Sequence, residues 1–303
     1  MSPSGSALSR PGAICRNGQG VYCRTFGPRY IPTLVQGVAV NLSGKHVVIT
    51  GASSGIGEAL AKEFGRAGAR LTLVARRREL LDRLSGEIGG GCIGIAHDLS
   101  DPSKALDWIP AAEAAHGPID VLVNNAGVAP TGRSEAIGAD ELESLLNLNF
   151  VVPIRITHHL LPGMIARKSA AIVNVGSVAG LVPVPWQTCY SATKAGLGGF
   201  SEALRGELLG TGVVVLSVYP GPVTTELGEK GYAALGGRTG INRLVPEGTP
   251  DVLAVKIRSH LENERARLVY PGMLVTSRWF PNWTRWMLDK VAPRVFDKMS
   301  KPT

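Results

Sequence analysis

From Leu42 onward two patterns alternate along the chain. Short runs rich in Val, Ile and Leu occur at His46–Thr50, Leu71–Ala75, Cys92–Ala96, Val121–Asn124, Ala171–Val175, Val213–Val218 and, more briefly, Leu268–Tyr270. Between them lie stretches whose apolar residues recur at helical spacing: Ile56–Arg66, Glu79–Ile88, Ala139–Ala166 and Ser191–Leu209. The first set reads as strands and the second as helices. Strands that are apolar throughout, rather than at every second position, are buried on both faces. The pattern therefore predicts an α/β fold, a single doubly wound parallel sheet of about seven strands with helices on both faces. Right-handed crossovers in such a sheet place ligands at the carboxyl ends of the strands. No internal repeat or second domain is visible. The expected organisation is an N-terminal extension over 1–41, a main domain over 42–270 and a C-terminal amphipathic, aromatic extension over 271–303.

Composition adjusts this picture in three places. Hydrophobic residues make up 44% and charged residues 18%, which supports a large core rather than a disordered chain. The net charge of +8 resides at the ends. Residues 1–45 hold Arg10, Arg16, Arg24, Arg29 and Lys45 and no acid, whereas residues 278–303 hold six basic residues against Asp289 and Asp297, so +5 and +4 leave about −1 for the remainder. The main domain is thus not expected to bind nucleic acid. No apolar run reaches the roughly 18 residues that span a bilayer. Residues 1–41, rich in Ser, Gly, Pro and Arg, read as a disordered or extraneous tail. Cys15, Cys23, Cys92 and Cys189 form no Cys-x-x-Cys pair, and the histidines show no metal-ligand spacing. Reduced thiols, a cytoplasmic location and no metal are expected. Cys189 reads as a small buried residue or, being next to Tyr190, as part of a pocket wall.

Thr50-Gly51-Ala52-Ser53-Ser54-Gly55-Ile56-Gly57 joins the first strand to the first helix. Gly51 permits a tight turn, Gly55 a close approach to a pyrophosphate, and Gly57 the packing of helix on strand. The helix N-terminus offers unpaired N–H groups to the anion. This makes Gly51, Ser53, Ser54, Gly55, Ile56 and Gly57 candidate cofactor ligands. At the end of the second strand, where sites for NAD place an acid, stand Arg76, Arg77 and Arg78. A guanidinium suits a 2′-phosphate, so Arg76 and Arg77 point to NADP(H) over NAD(H), while Arg78 reads as a solvated helix start.

Tyr190 and Lys194 lie one helical turn apart on one face. A free phenol titrates near pH 10, and a nearby ammonium favours the phenolate, which suits a tyrosine to proton transfer. With the Gly-x-x-x-Gly-x-Gly loop and Asn124-Asn125-Ala126-Gly127, this pair makes the sequence similar to the short-chain dehydrogenase/reductase family in its classical form, strongly over about 43–226 and loosely over 227–270. The resemblance implies a Rossmann-type fold and a nicotinamide cofactor. It places Asp98 and Leu99 at the adenine, and Asn125, Ala126 and Gly127 against the cofactor. Pro220, Gly221, Val223 and Thr225 fall near the carboxamide. Tyr190 becomes the acid/base, Lys194 the group that binds the ribose and tunes the phenol, and Ser177 the hydroxyl that holds the substrate oxygen. Asn149, with Asn147 as its neighbour, matches the asparagine that keeps a proton-relay water. The function implied is an NADPH-dependent oxidoreductase that reduces a carbonyl or oxidises the matching secondary alcohol. Two rival functions stand beside it: a catalytically silent, NADPH-binding regulator or scaffold, whose catalytic set would be broken, and a sugar-nucleotide epimerase or dehydratase, whose Gly-x-x-Gly-x-x-Gly loop and larger C-terminal region are absent here.

The substrate side is written more faintly. Pro183-Val184-Pro185-Trp186 offers apolar walls, and Gly228–Arg243 reads as a glycine-rich, mobile lid. The tail carries Trp279, Phe280, Trp283, Trp286, Met287, Val291 and Phe296 with interleaved Arg and Lys. Three readings fit it: a helix docked on the domain or on a neighbouring subunit, a cover over an apolar substrate site, or a helix in peripheral contact with a membrane. Each suits a lipophilic ketone, aldehyde or alcohol. The resemblance also implies a homodimer or homotetramer joined through Ala139–Ala166 and Ser191–Leu209.

Overall fold

The computed structural model describes residues 39–234 and 246–296. Its strands are β1 (His46–Thr50), β2 (Arg70–Ala75), β3 (Cys92–Ala96), β4 (Val121–Asn124), β5 (Ala170–Val175), β6 (Val213–Pro220) and β7 (Arg267–Tyr270). All pair in parallel, in the order β3-β2-β1-β4-β5-β6-β7. The expected doubly wound sheet is present, and each strand lies within a few residues of its predicted position. Chain order reverses between β1 and β4, which opens a crevice at the carboxyl ends of the strands.

Alternate residues of each strand feed two apolar layers. Val47 and Ile49 face the layer built with α1 (Gly55–Arg66), α2 (Arg78–Ile88) and α8 (Pro250–Glu262), through Leu60, Phe64, Leu81, Leu84 and Ile257. Val48 faces the opposite layer, built with α3 (Ile109–His116), α5 (Val152–Arg167) and α6 (Thr188–Glu207), through Trp108, Ile156, Met164 and Leu204. Burial on both sides explains why the strands read as unbroken apolar runs.

Several expectations need correction. The helix predicted over Ala139–Ala166 is α4 (Ala139–Leu146), a π-helical turn over Asn147–Val151, and then α5. The sequence reading missed α3 and α8. The start of α8 was marked: Thr249 caps it by accepting the Val252 N–H at 3.4 Å, and Pro250 occupies the first turn. The predicted lid begins as a helix, α7 (Glu226–Ala234), and its remainder over 235–243 lies outside the described residues. So do residues 1–38, with Cys15 and Cys23, and residues 297–303. Val40, assigned to the extension by its composition, is buried and donates its N–H to the Leu261 carbonyl at 3.2 Å. The described residues end in a short turn at Gly272–Val275, then α9 (Thr276–Trp279) and α10 (Pro281–Phe296). Among the described residues, no helix is long and apolar enough to cross a membrane.

Candidate active site

The phosphate loop is braced from below. The Thr50 hydroxyl accepts the N–H groups of Asn125 (3.0 Å) and Ala126 (3.1 Å), sewing the end of β1 to the end of β4. The Asn125 amide donates to the carbonyls of Thr50 (2.9 Å) and Gly51 (3.1 Å). Gly51 has φ +66°, a left-handed turn that glycine adopts freely. At Gly57 the requirement is steric: a Cβ there would press on the Gly51 carbonyl and come within 2.9 Å of the Ala52 Cα. Ser54, at the N-cap of α1, makes no side-chain capping bond, so the first-turn N–H groups and the positive end of the helix dipole are left for an anion.

The two arginines predicted to bind phosphate separate. Arg77 reaches over the loop, its Nη2 donating to the hydroxyls of Ser53 (3.1 Å) and Ser54 (2.7 Å), and its Nη1 meets the Glu226 carboxylate at 3.3 Å. Arg76 lies beside Asp98. Partial burial raises the pKa of that carboxyl, but the Ser100 hydrogen bonds and the charge of Arg76 outweigh it and leave the group below its ordinary value. Leu99 is buried in the layer of α3 and α5, so its side chain serves the core.

The catalytic candidates converge at the ends of β5 and β6. Ser177 follows β5 in extended conformation; its Oγ accepts the Ala179 N–H at 3.1 Å and donates to the Pro220 carbonyl at 3.4 Å. Gly180 is pressed against the backbone of Lys194, where a Cβ would lie 2.6 Å from the carbonyl carbon, so the serine turn seats directly on α6. Tyr190 and Lys194 occupy the N-terminal half of α6, with the ammonium 5.9 Å from the phenol ring centroid. Lys194 is buried and donates to the Val175 carbonyl at 2.9 Å; desolvation brings its pKa down to about 8. Desolvation raises the Tyr190 phenol above its ordinary value, against the lowering effect of a hydrogen bond with Ser177.

Asn149 sits in the π-helical turn, fully buried, whereas Asn147 is partly exposed. The extra residue of that turn carries the Asn149 side chain inward, in keeping with the frequent use of such bulges at functional sites. Its amide grips Val128 at both ends, donating to the carbonyl at 2.8 Å and accepting the N–H at 2.9 Å. A Cβ on Gly127 would lie 3.1 Å from Asn149 Oδ1 and 3.5 Å from Lys194 Nζ, so the bare Gly127 backbone keeps the floor of the cleft open. The Thr225 hydroxyl accepts the Gly228 N–H at 3.1 Å, and its methyl faces Gly55 of the phosphate loop. Val223 is buried and bridges to Gly248.

One functional feature escaped the sequence reading. Asn124 donates to Asn174 Oδ1 (2.8 Å) and Thr157 Oγ1 (3.1 Å), and Asn174 donates to Ser201 Oγ (2.8 Å). This buried polar chain ties β4, β5, α5 and α6 together behind the catalytic group. Its signal was an asparagine inside the otherwise apolar Ile172-Val173-Asn174-Val175. A substrate-side wall forms where Gly132 donates to the Trp186 carbonyl at 2.9 Å and the hydroxyls of Ser134 and Thr188 meet at 2.6 Å. Cys189 is part-buried there.

The sequence pattern of the short chain dehydrogenase family matches residues 45–235. A short chain dehydrogenase of Pseudocercospora fijiensis is 41% identical over 206 residues, covering 66% of this chain and 66% of that protein. The chain therefore spans just under two thirds of that relative. In fold it is similar to a 3-ketoacyl-(acyl-carrier-protein) reductase from Brucella melitensis complexed with NADH, at 28% identity and TM-score 0.67 over 76% of this chain and 97% of that one. It is likewise similar to a metagenomic short-chain oxidoreductase in complex with NADP, at 33% identity and TM-score 0.63 over 76% and 98%.

Proposed function

This chain belongs to the short chain dehydrogenase family of oxidoreductases, and on that premise we propose that it uses NADPH to reduce the carbonyl of a lipophilic ketone or aldehyde, or NADP⁺ to oxidise the matching alcohol. The observation that carries the reading is the convergence of Ser177, Tyr190 and Lys194 at the carboxyl ends of the strands, beside the uncapped N-terminus of α1. The open Gly127 floor and the free first-turn amides fit a dinucleotide. When bound, the cofactor supplies or accepts the hydride. Tyr190, protonated at neutral pH, gives its proton to the substrate oxygen, and Ser177 holds that oxygen by a hydrogen bond. The Lys194 ammonium binds the ribose and stabilises the phenolate left behind. Because the Asn149 amide is engaged with Val128, Asn149 acts as a positioning residue, and a relay water would hang from peptide groups of its turn. Alcohol oxidation runs the same steps backwards.

NADP(H) over NAD(H) follows from Arg77, whose guanidinium stands over Ser53 and Ser54 where a 2′-phosphate would sit. Solved relatives hold either cofactor, so the preference rests on this chain's own arginine. The apolar 183–186 wall and the aromatic tail favour a lipophilic substrate. Pairing of copies through α4, α5 and α6 completes the proposed assembly. The test is the initial rate with NADPH and with NADH against carbonyls graded by chain length and ring size. Faster turnover of long or fused-ring ketones with NADPH is expected. Equal rates with both cofactors would remove the cofactor assignment. Absence of turnover in both directions, with NADPH still binding, would shift the reading to a regulatory protein.

A further inference from the structure

Beyond β7 the chain exposes an apolar surface that neither the sheet nor the cleft uses. Met273 is 75% exposed, Trp279 71%, Phe280 63%, and Trp283 and Trp286 56% each. Trp283, Trp286 and Met287 are spaced so that they share one face of α10. Isolated exposed apolar residues are ordinary, but a contiguous aromatic group marks a contact surface.

Charge selects the occupant. Arg285 lies between Trp283 and Trp286, Lys290 follows Met287, and Asp289 is the only acid between 271 and 296. Two copies of this segment packed together would bring like charges face to face. An anionic surface with an apolar interior accepts both components: the aromatic rings at headgroup depth, the long basic chains reaching back to the phosphates. The beginning of the segment is held in place. Arg278 lies over the Tyr219 ring at 5.8 Å and 3.8 Å from the Glu202 carboxylate, which fixes α9 to β6 and α6. It also starts at the catalytic group: Leu274 rests on Gly221, next to the Pro220 carbonyl that receives the Ser177 hydroxyl.

We propose that residues 273–290 form a docking face for an anionic lipid bilayer, laid at the rim of the catalytic cleft. The contact is peripheral, with the helix lying in the interface. Entry of a lipophilic substrate directly from the bilayer would follow; that consequence rests on the function proposed above, while the docking itself does not.

The test is sedimentation of the full chain with vesicles, read without turnover, so that docking and catalysis fail separately. Vesicles of phosphatidylcholine mixed with phosphatidylserine should pellet the protein at least about tenfold more strongly than phosphatidylcholine alone. Replacing Trp279, Trp283 and Trp286 together by serine should weaken that binding about tenfold or more, with an unchanged melting temperature because all three side chains are exposed. The pair Arg285→Glu and Lys290→Glu should abolish the preference for anionic vesicles and serves as a second variant should the tryptophan replacements perturb folding. No pelleting, equal pelleting on both vesicle types, or binding that survives both sets of substitutions overturns the proposal. Self-association in sedimentation velocity that the tryptophan replacements abolish also overturns it, in favour of an interface between copies.

Discussion

The two ends of the cleft are built in opposite ways. At the hydride end, Ser177, Lys194 and Asn149 are buried, and each is fixed by backbone carbonyls or N–H groups. At the phosphate end, Arg77 is exposed and is held by two serine hydroxyls and by Glu226, a carboxylate that is itself half exposed. Burial is what moves the Lys194 and Tyr190 pKa values, because a low-dielectric surrounding penalises the charged form of each. At the exposed end recognition would rest on charge and shape. On the proposed function, chemistry falls to dry positions and cofactor choice to solvated ones, so substitutions at the two ends should fail differently.

The largest effect is expected at the dry end. Tyr190→Phe removes the proton donor without altering packing and should lower kcat by roughly 10²–10⁴, with an unchanged melting temperature; turnover near that of the parent protein would break the contrast. Arg77→Ala should act on recognition only. The ratio of kcat/KM for NADPH to that for NADH should fall about ten- to a hundredfold, the loss expected for hydrogen bonds to a charged group, with kcat on saturating NADPH little changed. A fall in kcat comparable to that of Tyr190→Phe would mean that the two ends are not independent.

The pH profile gives a smaller effect. Lys194, with its pKa lowered to about 8, is charged below that pH and neutral above it. The kcat/KM for NADPH, which reports the free enzyme, should therefore decline as pH rises through about 8, by up to about tenfold per unit. A flat profile to pH 10 would place the ammonium in water. The smallest effect lies outside both ends. Burial raises the Glu202 pKa, but hydrogen bonds from Arg267 and Arg205 outweigh it and hold the group at about 2. Its folded value is below its unfolded one, so the stability it confers is present above about pH 4 and is lost as pH falls toward 2. Glu202→Gln should cost roughly 1 kcal/mol, discounted for partial exposure, and should flatten that acid limb in denaturant melts.

The same contrast explains what the sequence made legible. The inner strands β1, β4, β5 and β6, buried on both faces, carry an apolar signature along their length, and the part-buried edge strands β3 and β7 keep enough of it to be readable. Gly51 and Gly57 stand where a side chain would collide, Gly127 where one would crowd Asn149, and Tyr190 with Lys194 stands at a spacing that helical geometry enforces. The π-helical turn was not readable, because a single i→i+5 turn between two α-helices has no residue type of its own to mark it. The separation of Arg76 from Arg77 was hidden for another reason. Adjacent residues at a strand end diverge according to what the rest of the chain brings to them, here Ser53, Ser54 and Glu226 for Arg77, while Arg76 feels the charge of Asp98. The buried bond between Asn124 and Asn174 depends on the pairing of β4 with β5, which local sequence does not encode.

The seam between Thr50 and Asn125 bears on how the molecule acquires its shape. It joins residues 75 apart in sequence, and β2, β3 and their helices must be laid aside before the two strands that carry it become neighbours. Closing so long a segment costs more chain entropy than forming any single helix, so the phosphate loop takes its working form only once β1 and β4 have paired. A ligand that binds only the paired form draws the population toward it.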